Sequence, residues 1–247
     1  MTADSLGRRQ ISWNSSSAPS EAGLRERRHW GRRKGPALST RQAGLFDTLL
    51  PRLAVTLEPG RDPRAYFSGR PVSDVWLEVG FGGGEHLAWQ AEHHPDIGHI
   101  GAEPYVAGMA KLLSKIDDKA IGNIRLYAED AHDIVSALPD ASIARVFILF
   151  PDPWPKTRHH KRRFIQMEML GQLARLMKPG AELRFATDDA GYLVWALERL
   201  MAHPTFMWLA ERSADWRARV PDWPETRYEA KALRAGCACT YLRFRRV

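Results

Sequence analysis

The chain has 247 residues and a formal net charge of +7 at pH 7, and hydrophobic residues make up 44% of it. This length allows a hydrophobic core of its own, and we expect residues 43–247 to form a single domain. We expect no membrane span and no signal peptide, because no apolar run reaches roughly 18 residues and the N-terminus is polar. The two cysteines, Cys237 and Cys239, are too few for a disulfide framework, which favours a reducing cytoplasm.

Most of the excess positive charge lies in residues 1–42. This segment carries nine lysines and arginines against three acidic residues, and it is rich in serine and glycine without any periodic apolar pattern. We therefore predict a basic tail that is disordered when alone. Its simplest role is solubility, and contact with RNA phosphates is the alternative that a second basic cluster at 158–163 favours.

From about Val75 onward, segments typical of strands alternate with segments typical of helices. The predicted strands are Val75–Val79, Gly98–Ala102, Ile124–Tyr127, Arg145–Phe150, Glu182–Ala186 and Thr240–Phe244, with a weaker one at Phe206–Leu209. Apolar stripes at helical spacing predict helices between them, and an N-terminal extension contains a further helical stretch at Leu45–Leu50. This order predicts an α/β fold with a mostly parallel sheet covered on both faces, closed by an antiparallel hairpin of the last two strands.

A glycine-rich turn follows the first predicted strand. Gly80, Gly82 and Gly84 permit a tight turn and the close approach of a ligand. Dinucleotide enzymes use a similar turn, so the glycines alone leave NAD and S-adenosylmethionine open. Glu78 favours the second, because a carboxylate there would attract the ammonium group of that donor and repel a pyrophosphate.

Acidic residues follow the next three strands as well. Glu103 is placed to accept hydrogen bonds from ribose hydroxyls, and Asp130 to accept one from the exocyclic amine of adenine. Asp152 lies between two prolines, which fix the backbone and end the strand. Since the carboxyl ends of parallel strands meet at one edge of a sheet, four acids at four successive strand ends predict one crevice.

A basic cluster follows Asp152 closely in the chain. We expect its last members, Lys161, Arg162 and Arg163, to open a helix that runs to about Met177. Cations at a helix N-terminus oppose the helix dipole, and an anionic partner would offset that local cost. Acid beside base on one rigid loop therefore indicates a reaction on nucleic acid, with Trp154 either stacked on a base or packed on the core.

Taken together, these segments resemble the bacterial tRNA (guanine-N7-)-methyltransferase family over roughly residues 40–247. The motifs that carry the resemblance are Glu78-Val-Gly-Phe-Gly-Gly-Gly, Gly101-Ala-Glu103, Asp130-Ala, Phe150-Pro-Asp-Pro-Trp-Pro-Lys, Arg158-His-His-Lys-Arg-Arg, Ala186-Thr-Asp188 and Thr226-Arg-Tyr-Glu229. The resemblance implies a Rossmann-like class I sheet and methyl transfer from S-adenosylmethionine to N7 of guanosine 46 in the tRNA variable loop. Tyr228 stands where many members have phenylalanine.

The resemblance also implies a role for each motif. Glu78, Glu103, Asp130 and Asp152 would contact the methyl donor, and Asp152 would be the catalytic residue. The residues implied to hold the substrate are Lys156, Asp188, Thr226, Arg227, Tyr228 and Glu229. Those implied to bind RNA are Arg158, His159, His160, Lys161, Arg162 and Arg163.

The chemistry of guanine N7 needs no general base, because this nitrogen carries no proton at neutral pH. Asp152 or Asp188 could accept from guanine N1–H and the exocyclic amine, and the sequence leaves both open. An NAD-dependent oxidoreductase and a non-catalytic RNA-binding protein are the competing interpretations. We expect no metal, since the adjacent pairs His93-His94 and His159-His160 cannot readily share one ion, and no obligatory protein partner.

Overall fold

The computed structural model describes Arg33 and residues 35–247, and most of the predicted basic tail lies outside these residues. The helices are α1 Thr40–Thr48, α2 Leu50–Leu53, α3 Glu85–His93, α4 Val106–Lys119, α5 Ala131–Ala137, α6 Met167–Leu176, α7 Ala190–Ala202, α8 Ala214–Arg217 and α9 Arg227–Arg234, with 3-10 helices at Pro63–Phe67 and Thr157–Arg162. The strands are β1 Asp74–Val79, β2 Ile97–Ala102, β3 Ile124–Tyr127, β4 Ile143–Leu149, β5 Met177–Thr187, β6 Phe206–Trp208 and β7 Thr240–Arg246.

The seven strands form one sheet in the order β3-β2-β1-β4-β5-β7-β6. Strands β1 to β5 pair in parallel, and β7 pairs antiparallel with both β5 and β6. The predicted α/β fold is therefore confirmed. The strand order reverses between β1 and β4, and the carboxyl ends of these two strands are where such a sheet binds ligands.

Both faces of the sheet are covered, because successive side chains of a strand point to opposite faces. On β1, Val75 and Leu77 face a core built with α5, α6 and α7. Trp76 faces the other side, where it packs with Phe147 and with Trp223 from the connection between β6 and β7. The buried strands thus hold their loops in fixed positions at the edge that carries the predicted site.

Two local predictions were wrong. Lys161, Arg162 and Arg163 do not open an α-helix, because Arg163 and Gln166 have extended backbone angles and α6 begins only at Met167. The last two strands are antiparallel neighbours as predicted, yet they are not joined directly, since α8 and α9 lie between them.

The N-terminal extension packs onto the domain. Helix α1 begins at Thr40, where Ser39 and Gln42 form a reciprocal capping box, so helical structure starts within the segment assigned to the tail. Its buried Leu45 and Phe46 join a cluster with α3 and α4. Further along, Val55 N–H donates to the Leu126 carbonyl of β3 at 2.8 Å, beside a single parallel bridge between Ala54 and Leu126.

Candidate active site

The glycine turn after β1 has the geometry that its sequence requires. Gly80, Gly82 and Gly84 all adopt left-handed φ angles, which side-chain-bearing residues rarely take. A Cβ at Gly108 of α4 would lie 2.2 Å from the Gly82 carbonyl oxygen, so α4 approaches the turn at backbone contact. Beside Gly80, by contrast, a Cβ would meet no atom within 4 Å. The turn therefore borders open space on one side.

Glu103 is joined directly to this turn. Its carboxylate accepts from Gly82 N–H at 2.8 Å and from Tyr105 N–H at 2.9 Å. Burial raises the pKa of Glu103, and the nearby negative charges of Asp152 and Glu78 raise it further. Two of the other predicted acids, Glu78 and Asp152, therefore lie close enough to Glu103 for their charges to act on it.

Glu78 is buried, with 3% of its surface exposed, rather than open to solvent. Its Oε2 lies 2.7 Å from Nδ1 of His86, a buried residue in the first turn of α3. The sequence interpretation did not include His86. A polar residue on the inward face of the helix that follows the turn is the signal that could have found it.

Asp130 has a structural role at the N-terminus of α5. Its Oδ1 accepts from His132 N–H at 3.0 Å and lies 2.6 Å from His132 Nδ1. This is the usual arrangement of a helix N-cap. The contacts fix the carboxylate at the end of β3, where the sequence predicted an acid of the site.

Asp152 lies in a loop whose backbone is held in unusual angles. Phe150 and Trp154, two residues to either side, have φ angles of 51° and 46°. Such angles are costly for large side chains and are found where the surrounding structure imposes them. Here Phe150 N–H donates to the Ala186 carbonyl of β5 at 2.8 Å. The Asp152 side chain itself is exposed at the mouth of the sheet.

Arg163 is a brace for this loop. Only 3% of it is exposed, and its guanidinium donates to the Pro153 carbonyl at 2.8 Å and to the Gly191 carbonyl at 3.1 Å. It also lies over the rings of Tyr192 and Trp195. A buried cation with these partners does not present its charge to solvent, so its position differs from the RNA-binding surface that the sequence predicted for it.

The other members of the basic cluster lie nearer the surface. Lys156, Arg158 and Lys161 are exposed, while His159, His160 and Arg162 are partly exposed. Arg162 lies over the Trp154 ring at 4.9 Å, and desolvation together with the neighbouring cations lowers the pKa of His159. This positively charged surface adjoins the Asp152 loop.

Helix α9 brings the Thr226–Glu229 segment to the same place. A Cβ at Gly82 would lie 2.6 Å from the Tyr228 ring, so that ring covers the glycine turn. Thr226 caps α9, and Glu229 is 1% exposed. One Glu229 oxygen accepts from Tyr241 OH and pairs with Arg219, whereas the buried Oε2 has no hydrogen-bond partner among the described residues. Such an acceptor is a candidate for a ligand contact.

Asp188 follows β5 and is exposed, next to the cap of α7. It borders a cavity of about 610 Å³ that Trp216 and Leu233 also line. Another cavity, of about 680 Å³, lies between α8 and the β6–β7 pair and contains none of the predicted acids. Of these two cavities, only the one that Asp188 borders adjoins the carboxyl ends of the strands.

The described residues show neither a metal-binding cluster nor a helix that could span a membrane. Within Arg33 and residues 35–247, no group of three or more His, Cys, Asp or Glu side chains is arranged to hold a metal ion. None of the described helices combines the length and the apolar character that crossing a membrane requires.

Comparison with known proteins identifies the family. Residues 73–242 match the model of a family described as putative methyltransferase. The chain is 52% identical over 224 residues to the tRNA (guanine-N(7)-)-methyltransferase of Rhodospirillum rubrum, covering 89% of this chain and 88% of the relative. The chain belongs to the tRNA (guanine-N7-)-methyltransferase family. Another relative of this name, from Nitrobacter hamburgensis, is 52% identical over 221 residues, covering 88% of this chain and 86% of the relative.

The fold of this family member is shared more widely. The crystal structure of the 16S rRNA methyltransferase KamB superposes with a TM-score of 0.53 at 16% identity, covering 77% of this chain and 96% of that one. At this identity the likeness concerns the fold alone. The predicted class I methyltransferase architecture is thereby confirmed.

Proposed function

We propose that the chain transfers a methyl group from S-adenosylmethionine to N7 of guanosine 46 in the variable loop of tRNA. The observation that carries the proposal is the position of Glu103, bonded to the glycine turn at Gly82 and close enough to Glu78 and Asp152 for their charges to raise its pKa. Family membership supports the same reaction.

The residues at the turn fit the methyl donor. Two of the roughly four acceptor positions of the Glu103 carboxylate are used by backbone N–H groups, which leaves two for ribose hydroxyls. Glu78 would receive the donor's ammonium group and Asp130 the adenine amine, beside the open space at Gly80. When bound, the donor supplies an electrophilic methyl group on a sulfonium.

Asp152 would hold the guanine and stabilise the positive charge that its ring gains. Because N7 carries no proton, the protein's contribution is alignment and electrostatics rather than proton removal. The left-handed angles at Phe150 and Trp154 and the Arg163 hydrogen bond to the Pro153 carbonyl hold the backbone on both sides of Asp152. Asp188, at the end of the adjacent strand, is the alternative acceptor for the guanine N1–H.

The RNA would lie along the exposed cations beyond this loop. Lys156, Arg158 and Lys161 can neutralise phosphates, and the unpartnered oxygen of Glu229 lies in the segment that covers the turn. With tRNA as its substrate, the enzyme would work in the cytoplasm. We still predict that the enzyme needs neither a metal ion nor an obligatory protein partner.

Asp152→Ala tests the catalytic role. We expect kcat for methyl transfer to unmodified tRNA to fall by roughly 10²- to 10³-fold, because an electrostatic contact to the transition state is lost. Asp140→Ala is the matched control, since this exposed acid pairs with Arg175 at the opposite edge of the sheet. Activity near that of the wild type in a folded Asp152 variant would remove this residue from the mechanism.

The reaction itself is tested by mapping the methylated nucleotide after tRNA is incubated with enzyme and donor. We expect 7-methylguanosine at position 46, and methylation elsewhere would refute the site assignment. Binding of tRNA without any methylation would favour a non-catalytic RNA-binding protein. A rise in melting temperature with NAD rather than S-adenosylhomocysteine would favour the oxidoreductase, because a ligand stabilises the folded state that binds it.

A further inference from the structure

A buried row of polar groups leads away from Glu78 along α3. His86 and Gln90 are four residues apart on this helix and therefore share one face. His86 Nδ1 lies 2.7 Å from Glu78 Oε2, and His86 Nε2 lies 3.1 Å from Gln90 Nε2. Both side chains are 1% exposed or less, so water does not compete for these contacts.

Gln90 determines which nitrogen of His86 carries the proton. Its Nε2 also donates to the Asp222 main-chain carbonyl at 2.7 Å. The opposite orientation of the amide would place its oxygen against that carbonyl oxygen, so the amide nitrogen must face both Asp222 and His86. An amide nitrogen has two hydrogens, one for each neighbour. His86 Nε2 is therefore the acceptor, and Nδ1–H donates to Glu78.

The far end of this row is fixed to the sheet. The Asp222 carboxylate accepts from Arg184 at 2.7 Å and from Arg145 at 3.1 Å. The next residue, Trp223, is buried against Tyr241. Thr226, which caps α9, follows three residues later. The row thus connects Glu78, near the end of β1, with the start of the segment that covers the glycine turn.

We propose that His86 and Gln90 are positioning residues of the methyl-donor site, which hold the Glu78 carboxylate for the donor's ammonium group and tie it to the segment that leads to α9. The inference rests on the proposed function, in which Glu78 binds that ammonium. His86 Nδ1–H occupies one oxygen of Glu78 and leaves the other oxygen for the ammonium group. An apolar side chain at this position would leave the carboxylate without its donor.

The test compares two ligands in the full-length protein by calorimetry. S-adenosylhomocysteine carries the ammonium group, whereas 5′-methylthioadenosine lacks the amino-acid part. For His86→Leu we expect the Kd of S-adenosylhomocysteine to rise roughly tenfold or more, and for Gln90→Met roughly threefold or more, because a hydrogen bond to a charged group is lost or misdirected. The Kd of methylthioadenosine should stay unchanged in both.

Two further variants separate positioning from general stability. His86→Asn keeps an N–H near the Nδ1 position and should recover most of the affinity for S-adenosylhomocysteine. Asn123→Ala is the matched control, because this buried amide donates to the carbonyls of Ala91, His94 and Ile97, away from the site. It should lower the melting temperature without changing the Kd ratio of the two ligands.

Equal loss of both ligands in the His86 and Gln90 variants would overturn the inference, and so would a lowered melting temperature with both Kd values unchanged. In either case the wild type still binds S-adenosylhomocysteine, so the proposed function stands. If the wild type bound neither ligand, the proposed function and the inference would fall together.

Discussion

Burial determines the charge of His99, in the middle of β2. The residue is 1% exposed, and its ring lies at the edge of the Trp76 ring, with centroids 5.3 Å apart. Desolvation lowers the pKa of His99 from its usual 6.5 to about 3. The folded chain therefore keeps this imidazole neutral at a pH at which the unfolded chain would protonate it.

The free energy of unfolding should consequently fall as the pH is lowered. Between pH 6.5 and about 3 the unfolded chain binds a proton at His99 that the folded chain does not, so stability is complete above this window and is lost within it. The loss from this one residue is on the order of 5 kcal/mol across the whole window. His99→Phe, which fills a similar volume, should reduce the slope of stability against pH in urea titrations at several pH values. An unchanged slope would contradict the assignment.

At the scale of elements, the loop after β4 combines costly angles with a buried brace. Each left-handed angle at Phe150 and Trp154 costs on the order of 1–3 kcal/mol. The Arg163 guanidinium, bonded to the carbonyls of Pro153 and Gly191, connects this loop to α7. The loop is therefore kept in place by a residue that the sequence grouped with the RNA-binding surface.

Two arginines of the same cluster should behave differently when replaced. Arg163→Met should lower the free energy of unfolding by roughly 2–4 kcal/mol and reduce kcat, because buried carbonyls lose a charged donor. Arg158→Ala removes an exposed cation, so stability should change by less than about 0.5 kcal/mol. The Arg158→Ala variant should bind tRNA more weakly, and the slope of the logarithm of its tRNA-binding constant against the logarithm of salt concentration should fall by about one.

Chemical denaturation and binding titrations over a range of salt concentrations check both outcomes. If Arg163→Met lowered the salt slope while stability stayed constant, the residue would belong to the RNA surface after all.

Periodicity predicted the strands and most of the helices between them, but it missed α8 and α9 and did not predict contacts between elements. The predicted strand Ile124–Tyr127, in which Arg125 interrupts the apolar residues, has the same bounds in the structure. The helix predicted from Lys161 failed because the hydrogen bonds of Arg163 to distant carbonyls favour an extended backbone there. The sequence did not indicate His86 and Gln90, because their partners are distant in the chain. The partner of His86 is Glu78, across the glycine turn, and that of Gln90 is Asp222, in the β6–β7 connection.

At the scale of the whole molecule, a charged network fastens the long connection between β6 and β7 onto the sheet. Arg184 of β5 is almost fully buried and bonds both Glu182 and Asp222, while Arg145 of β4 reaches the same Asp222 oxygen. Without Asp222, the buried Arg184 guanidinium would keep only Glu182 of these two carboxylates as its partner. The placement of α9 over the glycine turn therefore depends on these contacts.

Asp222→Ala should lower the free energy of unfolding by roughly 1–3 kcal/mol, because its carboxylate is 38% exposed and Arg184 keeps Glu182 as a partner. Hydrogen exchange should accelerate in residues 219–234, while β1 and β4 keep their protection, because the loss is local to the connection. Asp140→Ala, which removes a surface ion pair, should leave both measurements nearly unchanged. Uniform acceleration across the sheet would show that the network supports the whole fold instead.

Within the described residues, the bridge from Ala54 and Val55 to Leu126 has a consequence for self-association. It occupies part of the outer margin of β3, while β6 at the opposite margin is only three residues long. Short or covered margins are poor templates for pairing with a foreign strand. Any association between copies of this chain must therefore use side-chain contacts, because the two margins of the sheet leave few backbone N–H and C=O groups for pairing with a second sheet.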